Sequence, residues 1–177
     1  MKNHSFSLKP FEPIKNDLQI TGEIIRDKNV FTIHYRFKCD LEKFEIPAVE
    51  KLPIRKNELW ETTCFELFLG IKNTPIYWEF NLSPSGDWNI YWFEDYRKSM
   101  LLEERFESLP FNILRDSNAL YLGLEFNLDF LVSVIENMDV SITTVINSKE
   151  GDISYWALKH CGKQADFHLR DRFVLEI

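Results

Sequence analysis

Residues 59–97 read LWETTCFELFLGIKNTPIYWEFNLSPSGDWNIYWFEDYR and contain four of the chain's five tryptophans. Side chains alternate between two faces along a strand, so the pairing register decides which of these rings meet. If KNTP (72–75) is a four-residue hairpin loop, Ile71 faces Ile76, Leu69 faces Trp78 and Leu67 faces Phe80. Phe68 then lies opposite Glu79, and Glu66 opposite Asn81. Pro84-Ser85-Gly86 suits a three-residue loop, with proline fixing a negative φ and glycine taking the left-handed bulge position. That loop pairs Ser83 with Asp87, Leu82 with Trp88, Phe80 with Ile90 and Trp78 with Trp92. On the other face it pairs Asn81 with Asn89, Glu79 with Tyr91 and Tyr77 with Phe93. A two-residue turn would mix tryptophans with Glu79 and Asn81, and a one-residue slip would invert the faces. The register that segregates polarity is the expected one.

This register sends Trp78, Trp88 and Trp92 into the core. The opposite face interleaves rings with carboxylates and amides. It reads either as a solvated outer surface or as a ligand site. Ordinary outer faces favour Lys, Thr, Ser and Arg, whereas ligand sites set a few polar groups among rings. A tyrosine or tryptophan ring offers a platform to the C–H face of a sugar, and neighbouring carboxylates and amides can bond its hydroxyls. Glu66, Glu79, Asn81 and Tyr91 are therefore candidate ligand-binding residues. Trp60 and Trp156 lie near strand ends, where a ring can overhang a pocket, with core packing as the alternative for each.

Outward from this meander, strand signals recur between short turns, as in a sandwich or barrel. LQITGEIIRD and NVFTIHYRFKCD flank a turn at Asp27-Lys28-Asn29, and FNILRD and LYLGLEFNL flank SNA. DVSITTVI, DISYWAL and FHLRDRFVLEI supply three more candidates, for about nine or ten strands in all. LEKFEIPAVEKLPIRKNE reads as a long loop, YRKSMLLEERFESL as a short helix or crossing loop, and LDFLVSVIE as either a short helix or a strand. The expected architecture is all-β: two packed antiparallel sheets with at most short helices, in one domain spanning 1–177.

Composition narrows the function. The 177 residues are 45% hydrophobic and 15% aromatic, which suits a packed domain and not a disordered chain. A net charge of −7 opposes nucleic acid and anionic membranes as partners. No segment has the length and apolarity of a signal peptide or membrane span. Cys39, Cys64 and Cys161 are scattered without CxxC spacing, so reduced thiols in a cytoplasmic setting are expected.

LWETTCFELFL, YWEFNLSPSGDW, YWFEDYR, YWALKH and the late DFH, in this order and spacing, resemble the DOMON-like superfamily. Within it the chain resembles domains similar to family-nine carbohydrate-binding modules and the C-terminal domain of some UDP-N-acetylenolpyruvoylglucosamine reductases. The resemblance covers roughly residues 15–177 and implies a β-sandwich of Ig-like or jelly-roll type whose relatives bind sugars or haem. In the sugar-binding relatives a Trp precedes an acidic E-x-F strand, which places Trp60 with Glu66 and Phe68. Where those relatives carry an acidic calcium cluster this chain reads ETTC, so neither calcium nor any other metal or cofactor is expected.

HCGKQADFH holds His160, Cys161, Asp166 and His168, donors suited to zinc in kind but not in spacing. Asp166 and His168 are instead expected to pin the C-terminal strand or rim the pocket, with His160 beside Trp156. Tyr96 and Arg97 can bond an acidic ligand group, the structural alternative being an ion pair of Arg97 with Glu94 or Glu103. Haem would need a Met or His pair from Met100, Met138, His34, His160 and His168, and no spacing selects one. Glu66 and Glu79 could serve glycoside hydrolysis if burial and repulsion raised one pKa. The leading expectation is a non-catalytic module for a small ligand, most plausibly a sugar or glycan fragment. A haem or electron-transfer module and a carbohydrate-active enzyme are the alternatives, and the oligomeric state is left open.

Overall fold

The computed structural model describes residues 1–14, 17–132 and 137–177. The first strands are β1 (Lys2–Ser7), β2 (Lys9–Pro10), β3 (Gln19–Asp27) and β4 (Val30–Lys38). The tryptophan-rich meander follows as β5 (Cys64–Ile71), β6 (Tyr77–Leu82), β7 (Trp88–Phe93) and the short β8 (Leu101–Leu102). The chain continues through β9 (Phe111–Arg115), β10 (Ala119–Asn127), β11 (Met138–Asn147), β12 (Ile153–Ala157) and β13 (Leu175–Glu176). One sheet has the order β1-β3-β4-β10-β9, and the other β2-β12-β11-β5-β6-β7-β8, with β13 on the first residues of β11. Every ladder is antiparallel. The all-β two-sheet architecture expected from the sequence is the one observed.

The first sheet shows simple alternation. On β4, Phe31, Ile33, Tyr35 and Phe37 are buried while His34, Arg36 and Lys38 are exposed. On β10, Leu120, Leu122, Leu124 and Phe126 make the matching inner face. Leu67, Leu69, Phe80 and Ile90 of the second sheet meet them in one core, together with Trp78 and Trp88. Trp92 packs on its edge. The Trp78 indole N–H donates to Glu103 Oε2 at 2.9 Å, and Arg105 grips the same carboxylate. The indole polar atom is thus satisfied at the core margin.

The expected registers of the meander hold at every pair, from Gly70–Tyr77 through Phe65–Leu82 and from Tyr77–Phe93 through Leu82–Trp88. Ser83 N–H donates to Asp87 O at 2.9 Å across the loop, and Gly86 takes φ +96°. The left-handed backbone there is the reason glycine occupies the position.

Two local expectations change, and the open readings of two further segments narrow. The N-terminal KNHSFS, not read as a strand, pairs with β3 along its full length; only Phe6 is buried in it, so the apolar signal is a single residue. FHLRDRFVLEI is not one strand but a 3-10 turn at Arg170–Arg172 followed by the two-residue β13. YRKSMLLEERFESL contains β8 and otherwise crosses as a loop, with no helix. In LDFLVSVIE, Leu128–Phe130 form a 3-10 turn, and residues 133–136 lie outside the described residues.

The β6–β7 loop gives a direct test. A methyl group on Gly86 would meet Pro53 Cγ at 2.8 Å as well as a strained φ. Gly86→Ala is expected to lower stability by about 1–2 kcal/mol in chemical denaturation; unchanged stability would contradict the assigned loop.

Candidate functional site

The outer face of the second sheet is organised in transverse rows. Thr143, Glu66, Asn81 and Asn89 face one another in turn across β11, β5, β6 and β7. The next row is Ser141, Phe68, Glu79 and Tyr91, and the one beyond is Asp139, Gly70, Tyr77 and Phe93. Glu66 and Glu79 are therefore diagonal neighbours, with Cα atoms about 7–8 Å apart as such pairs require.

This face is neither solvated nor open. Glu66 is 2% exposed, Glu79 4%, Asn81 0% and Tyr91 4%, which overturns the reading of a solvated outer surface. The reason lies in segments whose sequence gave no strong periodic signal. His168 and Phe173 from the C-terminal segment lie over Phe68 and Tyr77, and Phe167 joins the same cluster against Tyr155. The His168 ring sits edge-on to Phe68 at 5.4 Å and to Phe93 at 5.2 Å, and Phe173 lies 5.7 Å from Tyr77. Arg170 lies on Gly70, where any Cβ would strike its guanidinium, and bonds Ile71 O and Asp139.

A second cover comes from the loop before β5. Residues 54–56 run beside the start of β7: Trp88 N–H donates to Ile54 O, and Lys56 N–H to Trp88 O. Arg55 lies 4.2 Å over the Trp88 ring and donates to Asn89 Oδ1. A 3-10 turn at Leu59–Glu61 then sets the half-buried Trp60 ring 5.9 Å from Tyr91. Tyr91 accepts from Asn89 Nδ2 and donates to Asn57 Oδ1, each at 2.9 Å.

The two acids have few partners. Thr143 Oγ1 donates to Glu66 Oε2 at 2.7 Å, and Asn81 Nδ2 to Glu79 Oε1 at 2.8 Å. Among the described residues nothing is hydrogen-bonded to the other oxygen of either acid; His168 Nε2 is 3.7 Å from Glu79 Oε2. Burial, and then the charge of Glu79, push Glu66 up to about 8, against the pull of the Thr143 bond. Burial likewise pushes Glu79 up to about 7, opposed by Asn81 and by Arg97. Burial and the Arg97 charge hold His168 down to about 4, so its contact with Glu79 is not an ion pair at neutral pH.

The predicted residues thus fall into groups. Glu66, Glu79, Asn81 and Tyr91 come together, with Trp60 at their edge. Tyr96 and Arg97 stand on the rim, where both bond Asp166 at 2.7 and 3.1 Å, in place of the Glu94 or Glu103 pairing considered from sequence. Trp156 is 3% exposed in the inter-sheet core, because its β12 position points inward, and so rims nothing. His160 is bonded to Lys9 O at the β2 edge of the sheet and packs on Phe11, across β12 and β11 from the acids. Asn57, Asn89, Thr143 and His168 join the cluster without having been named for it as ligand residues. Asn89 and Thr143 could have been found from register, while Asn57 sits in an aperiodic loop. Among the described residues no three His, Cys, Asp or Glu side chains gather as a metal site requires. None of these residues forms a helix long and apolar enough to cross a membrane.

No family model matches the chain, and no curated protein matches its sequence. A solved structure from Bacteroides uniformis, described as a candidate carbohydrate-binding protein, superimposes with a TM-score of 0.65 over 93% of this chain and 83% of its own. Identity is 12%, so the likeness is one of fold.

The raised carboxylates fix a pH dependence. The folded state holds protons on Glu66 and Glu79 that the unfolded state has lost, so their ionisation weakens the fold as pH rises toward about 8. His168 acts oppositely, losing stability as pH falls through about 6.5 toward its folded value of about 4. Between about pH 6.5 and 8 the carboxylates act alone among these three, and stability is expected to drop by about 2 kcal/mol. Glu66→Gln should flatten that slope in urea titrations at the two pH values. Equal wild-type stability at both would refute the assignment.

Proposed function

We propose that the chain is a DOMON-like module that binds a small carbohydrate at the outer face of its second sheet. The observation that carries this reading is the polar row held beneath Trp60. Carboxylates, side-chain amides and a phenol are fixed on adjacent strands, next to a partly exposed tryptophan ring. Strand positions hold such groups with little rotational freedom, which lowers the entropy cost of ordering them around a ligand. Trp60 and His168 are partly exposed and Asn57 is exposed, and these three mark the way in. Trp60 supplies the stacking platform, Glu79 and Asn81 the hydroxyl partners, and Tyr91 with Asn57 and Asn89 the wall behind the ring. The fold shared with the Bacteroides protein supports the reading at the level of architecture. Three free cysteines support a reducing, cytoplasmic setting.

The raised pKa values of Glu66 and Glu79 favour one second reading, glycoside hydrolysis with one of them as general acid. The haem reading gains no such support: Met100 is 46% exposed, and His168 Nδ1 is engaged by the Tyr77 hydroxyl.

Calorimetric titration with a panel of neutral and charged mono- and oligosaccharides should give saturable binding to at least one. Trp60→Ala should weaken that binding about tenfold, about 1.4 kcal/mol. A silent panel with folded protein would remove the carbohydrate reading. Turnover of a chromogenic glycoside, lost in Glu66→Gln, would shift it to the enzyme.

A further inference from the structure

The charge balance of this cluster says something about the ligand. Two carboxylates lie on adjacent strands of one covered face, each with a single hydrogen-bond donor and each with one oxygen left without a bonded partner. Both are more than nine-tenths buried. Buried carboxylates in proteins are matched by a cation, a metal or several donors. The charged and titratable neighbours do not supply that match. Cys64 beside Glu66 on β5 is a buried thiol whose pKa is raised, so it stays neutral. Tyr77 on β6 and Tyr91 on β7 are phenols raised by burial and also stay neutral. His168 from the C-terminal segment is neutral for the reason given above. Arg97 is the cation whose field reaches Glu79, but its guanidinium is 52% exposed and bonded to Asp166. Beside the acids stand two electron-rich rings, Tyr91 and Trp60, of the kind that attract ammonium groups over their faces.

Resting on the carbohydrate reading above, we infer that the ligand is cationic: an amine-bearing sugar whose ammonium group is held between Glu66 and Glu79 beside the Tyr91 and Trp60 rings. A primary ammonium has three donors. It can bond the unused oxygen of each acid and keep one N–H for a ligand or solvent partner. A neutral hydroxyl can bond the same oxygens but leaves the charge unmatched. The ammonium also makes both carboxylates easier to ionise, so its binding to the partly protonated pair releases protons to the buffer.

The test compares 6-amino-6-deoxyglucose, glucose and putrescine by calorimetry at pH 6 and pH 8, in two buffers of different ionisation enthalpy. The amino sugar is expected to bind at least tenfold tighter than glucose at pH 8. That advantage should shrink at pH 6, where the acids hold their protons, and binding near pH 7 should release protons. Glu66→Gln should narrow the amino sugar-to-glucose ratio; the wild-type pH comparison decides the matter if that variant fails to fold. Equal affinity for amino sugar and glucose overturns the ammonium site and leaves the carbohydrate reading standing. Putrescine binding as tightly as the amino sugar keeps the ammonium site and overturns the carbohydrate reading. No binding by any of the three overturns both.

Discussion

β5, β6 and β7 are buried on both faces, and side chains on a strand alternate without exception. The register that sends Leu67, Phe80 and Ile90 toward the first sheet must send Glu66, Asn81 and Asn89 the other way. Those residues then lie under a cover, where every polar atom needs a partner or carries a cost of about 1–3 kcal/mol. Much of the remaining chain answers that constraint. Thr143 is placed by β11 opposite Glu66, Asn57 arrives on the loop before β5, and Arg55 reaches Asn89 from the same loop. The end of the long aperiodic segment, residues 54–58, thus edges this face, tied to β7 by backbone hydrogen bonds at Ile54 and Lys56.

The same constraint explains the carboxylates. An amide or a leucine at position 66 or 79 would fit a covered face at lower cost than an acid, because removing a carboxylate from water is expensive unless it is matched. Burial raises both groups and the charge of Glu79 adds to the rise at Glu66, and the fold carries that cost where apolar packing was available. Local choices that oppose stability within an otherwise consistent sequence concentrate at functional sites. In the main core the Trp78 indole N–H and the Tyr35 hydroxyl each have a partner, Glu103 and the Glu66 carbonyl. The contrast between the two faces of one sheet is what directs attention to the outer one.

How far the sequence revealed this follows from the kind of signal each part carries. Hairpin register was legible because it depends on local quantities: loop length, a glycine at a left-handed position, and polarity that separates in one pairing and mixes in another. Two turns were enough to set six pairs on each side of β6, and with them the neighbourhood of Glu66, Glu79, Asn81 and Tyr91. Their burial was not legible. Alternating polarity looks the same whether the polar face meets water or a covering segment, and the cover here comes partly from the aperiodic loop before β5 and partly from the C-terminal segment, far along the chain. DFHLRDRF lacks a strand's alternation because Phe167, His168 and Phe173 approach the sheet from a loop and a single 3-10 turn. Trp156 misled for a related reason: nearness to a strand end says nothing about direction, which β12 pairing with β11 sets inward.

The covering segment is held by two kinds of contact that do different things. Ring contacts of Phe167 and Phe173 bury area but are weakly directional, so alone they would tolerate sliding. Hydrogen bonds remove that freedom. Asp166 accepts from Tyr96 and Arg97, and the Arg97 backbone N–H donates to the Tyr77 hydroxyl. That hydroxyl already accepts from Arg97, so it donates to His168 Nδ1, which assigns the ring proton to Nε2. Nε2 is the atom nearest Glu79. Contacts therefore run from the solvent-exposed rim to the buried acids through Arg97, Tyr77 and His168. The groups that hold the cover thus end beside Glu79, and the Arg97 charge opposes the rise that burial imposes on that carboxyl.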